Sequence, residues 1–246
     1  MLVSFLWGLV ATSSLVIGGL IGSWLKIGNR TLGVIMAFGA GVLISAVAYE
    51  LPTEAFRLAS NAGFPAIGFF IGALTFFFSD ILIEKAGAKN RKSIKAEHSS
   101  DLLVPIVLAT ILDGIPESIV IGLGILEGGA VSLSMLIAVF ISNLPEAIAG
   151  TSGMVAGKWR VGKIILVWLI IAIICSVASF AGYSLFADAS DNWIAFIQAF
   201  AGGAIMVMLA NTMIPEAYEH GGKLAGIFTV LGFAVSMMVA LLEREM

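Results

Sequence analysis

The sequence is short of charge: only 12% of its 246 residues are Asp, Glu, Lys or Arg, against about a quarter in an ordinary soluble domain. With 59% hydrophobic residues and a mean hydropathy of +1.05, there is too little polar material to coat a globule of this size, so water cannot be the solvent for most of its surface. Cysteine is nearly absent. Cys175 stands alone, which excludes an internal disulfide and a cysteine-based metal cluster, and it reads as a small packing residue. The two histidines, His98 and His220, fall in polar connections, which closes mechanisms that need an imidazole inside the membrane. No ATP-binding motif is present. The first residues carry no basic stretch ahead of their apolar run, which argues for a retained first span and against a cleaved signal peptide.

What is there is a series of long apolar runs. Each membrane-spanning helix needs about 20 mainly apolar residues, and helices are the open-chain solution in hydrocarbon. The runs at 2–25, 32–51, 64–83, 102–126, 130–154, 161–186, 193–215 and 224–242 qualify. The expected fold is therefore an all-α polytopic membrane protein of eight transmembrane helices, one domain over 1–246. Connections are short except 84–101, and none holds a soluble domain.

Eight spans put both termini on one side, and Lys and Arg decide which. Lys26, Arg30, Lys85, Lys89, Arg91, Lys92, Lys95, Lys158, Arg160, Lys163 and Lys223 follow odd-numbered spans, while only Arg57 and Arg244 fall opposite. The expectation is a multi-pass protein of the cell (plasma or inner) membrane with both termini outside the cytoplasm and 84–101 inside it. His98 gives that connection a weak claim to metal capture.

Spans 2 and 7 resemble each other at an offset of 162 residues: Ala37-Phe38 matches Ala199-Phe200, Gly41 matches Gly203, Ala48 matches Ala210, and Glu54-Ala55-Phe56 matches Glu216-Ala217-Tyr218. The offset crosses an odd number of spans, so the two helices run in opposite directions. A 3+2+3 arrangement is expected, with inverted repeats at about 2–83 and 161–242 around central helices at about 102–154. Such repeats place a substrate site at their interface near the midplane. Chance likeness between two Gly- and Ala-rich helices is the competing reading.

The polar centre lies in spans 4 and 5, in Asp113-Gly114-Ile115-Pro116-Glu117-Ser118 and Ser142-Asn143-Leu144-Pro145-Glu146-Ala147. Asp113 and Glu117 are one turn apart, as are Ser142 and Glu146, and Asn143 and Glu146 are three residues apart, so each set shares a helix face. A carboxylate near the bilayer centre costs at least about 2.5 kcal/mol, and neighbouring carboxylates repel. A bound cation removes both penalties. Pro116 and Pro145 also free the carbonyls of Leu112 and Ile141 four residues earlier, adding oxygens. Glu50 and Glu54 toward the outer end of span 2, and Glu216 and Asn211 in span 7, read as pathway residues that attract a cation. Asp80 near the inner end of span 3 is a weaker candidate. Helix-end carboxylates that are merely solvated are the plain alternative for all of these. Glycine pairs such as Gly39 with Gly41, Gly202-Gly203 and Gly68 with Gly72 read as close helix approaches. The tryptophans, Trp168 among them, read mostly as interface anchors.

Eight spans, a long third connection and two central Pro-Glu helices resemble the ZIP family of divalent-metal transporters. That family carries motifs close to His-Asn-x-Pro-Glu-Gly in spans 4 and 5. Position by position, its histidine is Asp113 and then Ser142, its Asn is Gly114 and then Asn143, and its glutamates are Glu117 and Glu146. The final Gly is Ser118 and then Ala147. Glu54 resembles the family's span 2 glutamate, although Thr53 separates it from Pro52, and Pro215-Glu216 resembles the span 7 counterpart. The resemblance implies uptake of zinc, manganese or ferrous iron into the cytoplasm, with Asp113, Glu117, Asn143 and Glu146 as ligands and Ser142 in support. Without the motif histidines, the oxygen donors lean toward manganese, magnesium or ferrous iron, though zinc also accepts carboxylates. The metal is cargo, so no resident cofactor is expected, and no nucleic-acid partner. The chain's surroundings are the lipid bilayer, and its glycine-rich faces would suit a homodimer. An enzyme is not expected. A transport-inactive metal-sensing or structural membrane protein, and less so an intramembrane enzyme using Asp113, remain the rival readings.

Overall fold

A computed structural model describes residues 2–83, 85, 103–128 and 131–245. The basic connection 84–101, with its His98, lies outside the described residues apart from Lys85. Those described form eight helices long and apolar enough to cross a membrane. They are α1 (Leu2–Trp24), α2 (Asn29–Leu58), α3 (Gly63–Ile83), α4 (Leu103–Gly128), α5 (Leu133–Ala156), α6 (Val161–Leu185), α7 (Asp191–Gly221) and α8 (Lys223–Glu245). No strand occurs among the described residues. The protein is thus a multi-pass, all-helical membrane protein.

α2 and α7 are longer than their apolar runs, at 30 and 31 residues, or roughly 45 Å at 1.5 Å per residue against a hydrocarbon core of about 30 Å. The excess is polar: Glu54 and Arg57 in one, Glu216 and His220 in the other. His220 therefore sits in the last turn of a helix rather than in a connection. Both helices widen into a π turn, at Ala46–Glu50 and Leu209–Met213, directly before Leu51-Pro52 and Ile214-Pro215. The amides of Leu51 and Ile214 bond to the carbonyls five residues back, Ala46 and Leu209. A proline ring pushes on the carbonyl four residues before it. Those carbonyls, of Ala48 and Asn211, fall inside the widened turns. Pro116 and Pro145, by contrast, lie within unbroken α-helix.

Each helix has a short set of partners. α3 packs chiefly on α7 and α8 on α2; α1 packs on α5 and α6, and α4 on α6; α2 and α7 cross each other, and each also touches one central helix, α5 and α4 respectively. The closest approaches are backbone to backbone. A Cβ on Gly41 would collide with the Thr229 carbonyl oxygen and one on Gly203 with that of Phe69, while Gly72 and Gly232 face the carbonyls of Phe200 and Phe38. α3 and α8 are the least buried spans, and their outward Phe70, Phe78, Val230 and Leu242 are exposed, as suits helices against lipid.

One expectation is corrected. Trp168 is not an interface anchor: it is 0% exposed, its ring lies against Gly19 and Gly150, and its indole N–H donates to Thr151 Oγ1 at 2.8 Å. A buried indole needs such a partner. Trp24 and Trp193, at helix ends, are exposed.

Candidate metal centre

α4 and α5 hold their polar residues midway along apolar helices, between two hydrophobic clusters. One cluster includes Val120, Ile121, Met135 and Val139 with residues of α2 and α7; the other includes Ile106, Ala147 and Met154 with residues of α1 and α6. Asp113, Glu117 and Asn143 are 2%, 1% and 2% exposed, Glu146 is 7% and Ser142 is 1%. All five predicted central residues are therefore buried in the body of the bundle. Ser142 Oγ donates back to the Val139 carbonyl at 3.1 Å. The Ile141 carbonyl, released by Pro145, lies beside Gly39 of α2.

α6 contributes a neighbour that the sequence did not suggest. Cys175 is buried against Gly114, where a Cβ would stand 2.6 Å from its Sγ. It lies beside Ser118 and within electrostatic reach of Glu117 and Asp113. Its packing role is plain, and the space it fills belongs to the carboxylate pair. Among the described residues, no three His, Cys, Asp or Glu side chains come close enough together to hold a metal ion.

A separate cavity of about 460 Å³ opens at the end of the bundle where α2, α4 and α8 finish and α5 and α7 begin. Its inner wall includes Val120 and Ile121, one turn beyond Glu117. Its outer wall is acidic, with Glu50, Glu54, Glu127 and Glu243. Glu50 accepts from Ser132 Oγ at 2.8 Å and from Ser134 Oγ, and Glu54 pairs with Arg57. Glu243 reaches from α8 to accept from the Leu133 and Ser134 amides at 2.8 and 3.4 Å, where the first turn of α5 presents bare N–H groups.

The chain is similar to a plant protein named for zinc transport. Over 211 residues it is 23% identical to a protein of Arabidopsis thaliana named "Putative zinc transporter", a match covering 85% of this chain and 33% of that one. The chain thus spans about a third of the length of the curated relative it matches. No protein-family model matches it.

Against that likeness the predicted residues divide into three places. Asp113, Glu117, Ser142, Asn143 and Glu146 are each buried, on the two central helices. Glu50 and Glu54 line the cavity. Glu216, 8% exposed, and the exposed Asn211 are not among its walls, and neither is the buried Asp80. Sequence reasoning missed Glu127, Gln198 and Glu243 as cavity residues. The three are far apart in the sequence, and only the packing of α4, α7 and α8 brings them together.

Proposed function

We propose that the chain carries a divalent metal cation, zinc, manganese or ferrous iron, across the membrane into the cytoplasm, as a ZIP-type transporter. Asp113, Glu117, Asn143 and Glu146 serve as ligands of the moving ion, with Ser142 in support. The observation that carries the reading is the burial of three carboxylates in the middle of an apolar helical bundle. A carboxylate buried at that depth is costly, and a visiting cation offsets part of that cost. The similarity to a protein named for zinc transport supports the same class of cargo.

The packing map supports a 3+2+3 inverted repeat. Exchanging α1 with α6, α2 with α7, α3 with α8 and α4 with α5 turns each helix contact into another that is also made: α3 on α7 becomes α8 on α2, and α1 on α5 becomes α6 on α4. Gly41 and Gly203, 162 residues apart, make matching close approaches, as do Gly72 and Gly232. The two π turns are a further matched pair. Alternating access by such repeats requires the ligands to close on the ion at one stage and loosen at another. A conformation in which, among the described residues, no three His, Cys, Asp or Glu side chains are gathered at coordinating distance fits the loosened stage. The bias of Lys and Arg supports a topology with both termini, and the acidic cavity, outside the cytoplasm.

The test is uptake into proteoliposomes from a panel of zinc, manganese, ferrous iron, cadmium and magnesium. Glu117→Gln and Glu146→Gln should each abolish saturable uptake. Unchanged flux in both variants overturns the reading, and metal binding without flux in the unaltered protein favours a sensing or structural role.

A further inference from the structure

The outer cavity holds an arrangement that the central site does not use. Gln198 of α7 is 3% exposed and lines the cavity. Its Nε2 donates to Glu127 Oε2 at 2.8 Å. That contact leaves two buried acceptors, Gln198 Oε1 and Glu127 Oε1, with no hydrogen-bonding partner among the described residues. Two buried acceptors without a donor on adjacent side chains are costly unless a hydrogen-bond donor or a cation meets them. Glu54, Arg57 and Asp191 also lie within electrostatic reach of Glu127, the two carboxylates adding negative potential and Arg57 offsetting part of it. Arg57, the nearby cation, is engaged by Glu54.

We propose that Glu127 and Gln198, with Glu54 beside them, form a second cation site at the mouth of the cavity, taking a hard divalent ion through oxygen ligands alone. Carboxylate and carboxamide oxygens suit manganese, magnesium or calcium. Room for retained waters is available in a cavity of about 460 Å³. The site lies on the carboxylate-rich side that leads toward Val120 and Ile121, so it would hold an ion before the ion reaches the central helices. This placement in a sequence of steps rests on the transport reading. The binding itself does not.

Manganese alone is the probe. The purified full chain is titrated with Mn²⁺ in sodium chloride, and bound ion is counted by the loss of the free-ion paramagnetic signal. In a Glu117→Gln/Glu146→Gln background, one Mn²⁺ per chain should remain. Adding Glu127→Gln should weaken that residual binding by at least about tenfold, and Gln198→Leu, similar in size but without the carbonyl oxygen, should weaken it as well. Gel filtration and thermal unfolding of each variant establish that the fold is retained. No residual ion in the double variant, or residual binding indifferent to both Glu127→Gln and Gln198→Leu, overturns the proposal. Flux on the same preparations keeps the two readings apart. Flux by the unaltered protein with no ion at the mouth sinks this site alone, and a mouth ion with no flux sinks the transport reading alone.

Discussion

Trp168 shows how much one buried side chain contributes to the position of the central helices. Its ring fills the space left by Gly19 and Gly150 and its N–H is satisfied by Thr151 of α5. Thr151→Val keeps the shape and removes the acceptor, so about 1–3 kcal/mol of stability should be lost, read as a lower thermal midpoint in detergent. Thr151→Ser should restore most of it. From sequence, Trp168 looked like the other tryptophans because its neighbours are distant in the chain. Cys175 was readable as a packing residue, whereas its position against Gly114 was not, since that depends on how α4 and α6 are rotated toward each other. The central carboxylates were legible because hydrocarbon makes any mid-span Asp or Glu conspicuous.

At the scale of single helices, α5 begins with a cap built from two sources. Ser132 Oγ accepts from the Met135 amide at 3.2 Å, a local cap that a serine three residues before its partner announces. Glu243 supplies the other acceptor from the far end of α8. Glu243→Ala should cost about 0.5–2 kcal/mol by the usual scale for a lost cap. The effect should be seen in denaturant or thermal unfolding, and Glu243→Gln should retain part of it. The apolar runs located all eight helices, but they ended α2 and α7 too early, at 51 and 215 instead of Leu58 and Gly221. Hydropathy stops reporting where a helix leaves the hydrocarbon, although its backbone hydrogen bonds continue into the polar turns beyond Pro52 and Pro215.

Across the whole molecule, the matching approaches of α2 to α8 and α7 to α3 carry a direct expectation. Gly41→Ala and Gly203→Ala each push a methyl group into a carbonyl oxygen of the partner helix, and backbone cannot yield as a side-chain tip can. Both should lose about 1–3 kcal/mol, by similar amounts, in thermal unfolding of the reconstituted protein. A large loss at one position and none at the other would count against equivalent halves. The open cavity gives a second expectation. In a Cys175→Ala background, Thr53→Cys, exposed on the cavity wall, should react with a membrane-impermeant thiol reagent applied from the side of the termini and stay unreactive from the other.

The chief partner of α3 is α7, and that of α8 is α2. During synthesis, α3 therefore enters the membrane four helices ahead of the one it embraces. Until then the groove at Gly72 can only be filled by lipid or by a chaperone. α3 and α8 each lie against a span distant in the sequence, so the packing of either waits on the other end of the chain. A chain interrupted after α6 should be held back by membrane quality control however well its individual helices insert.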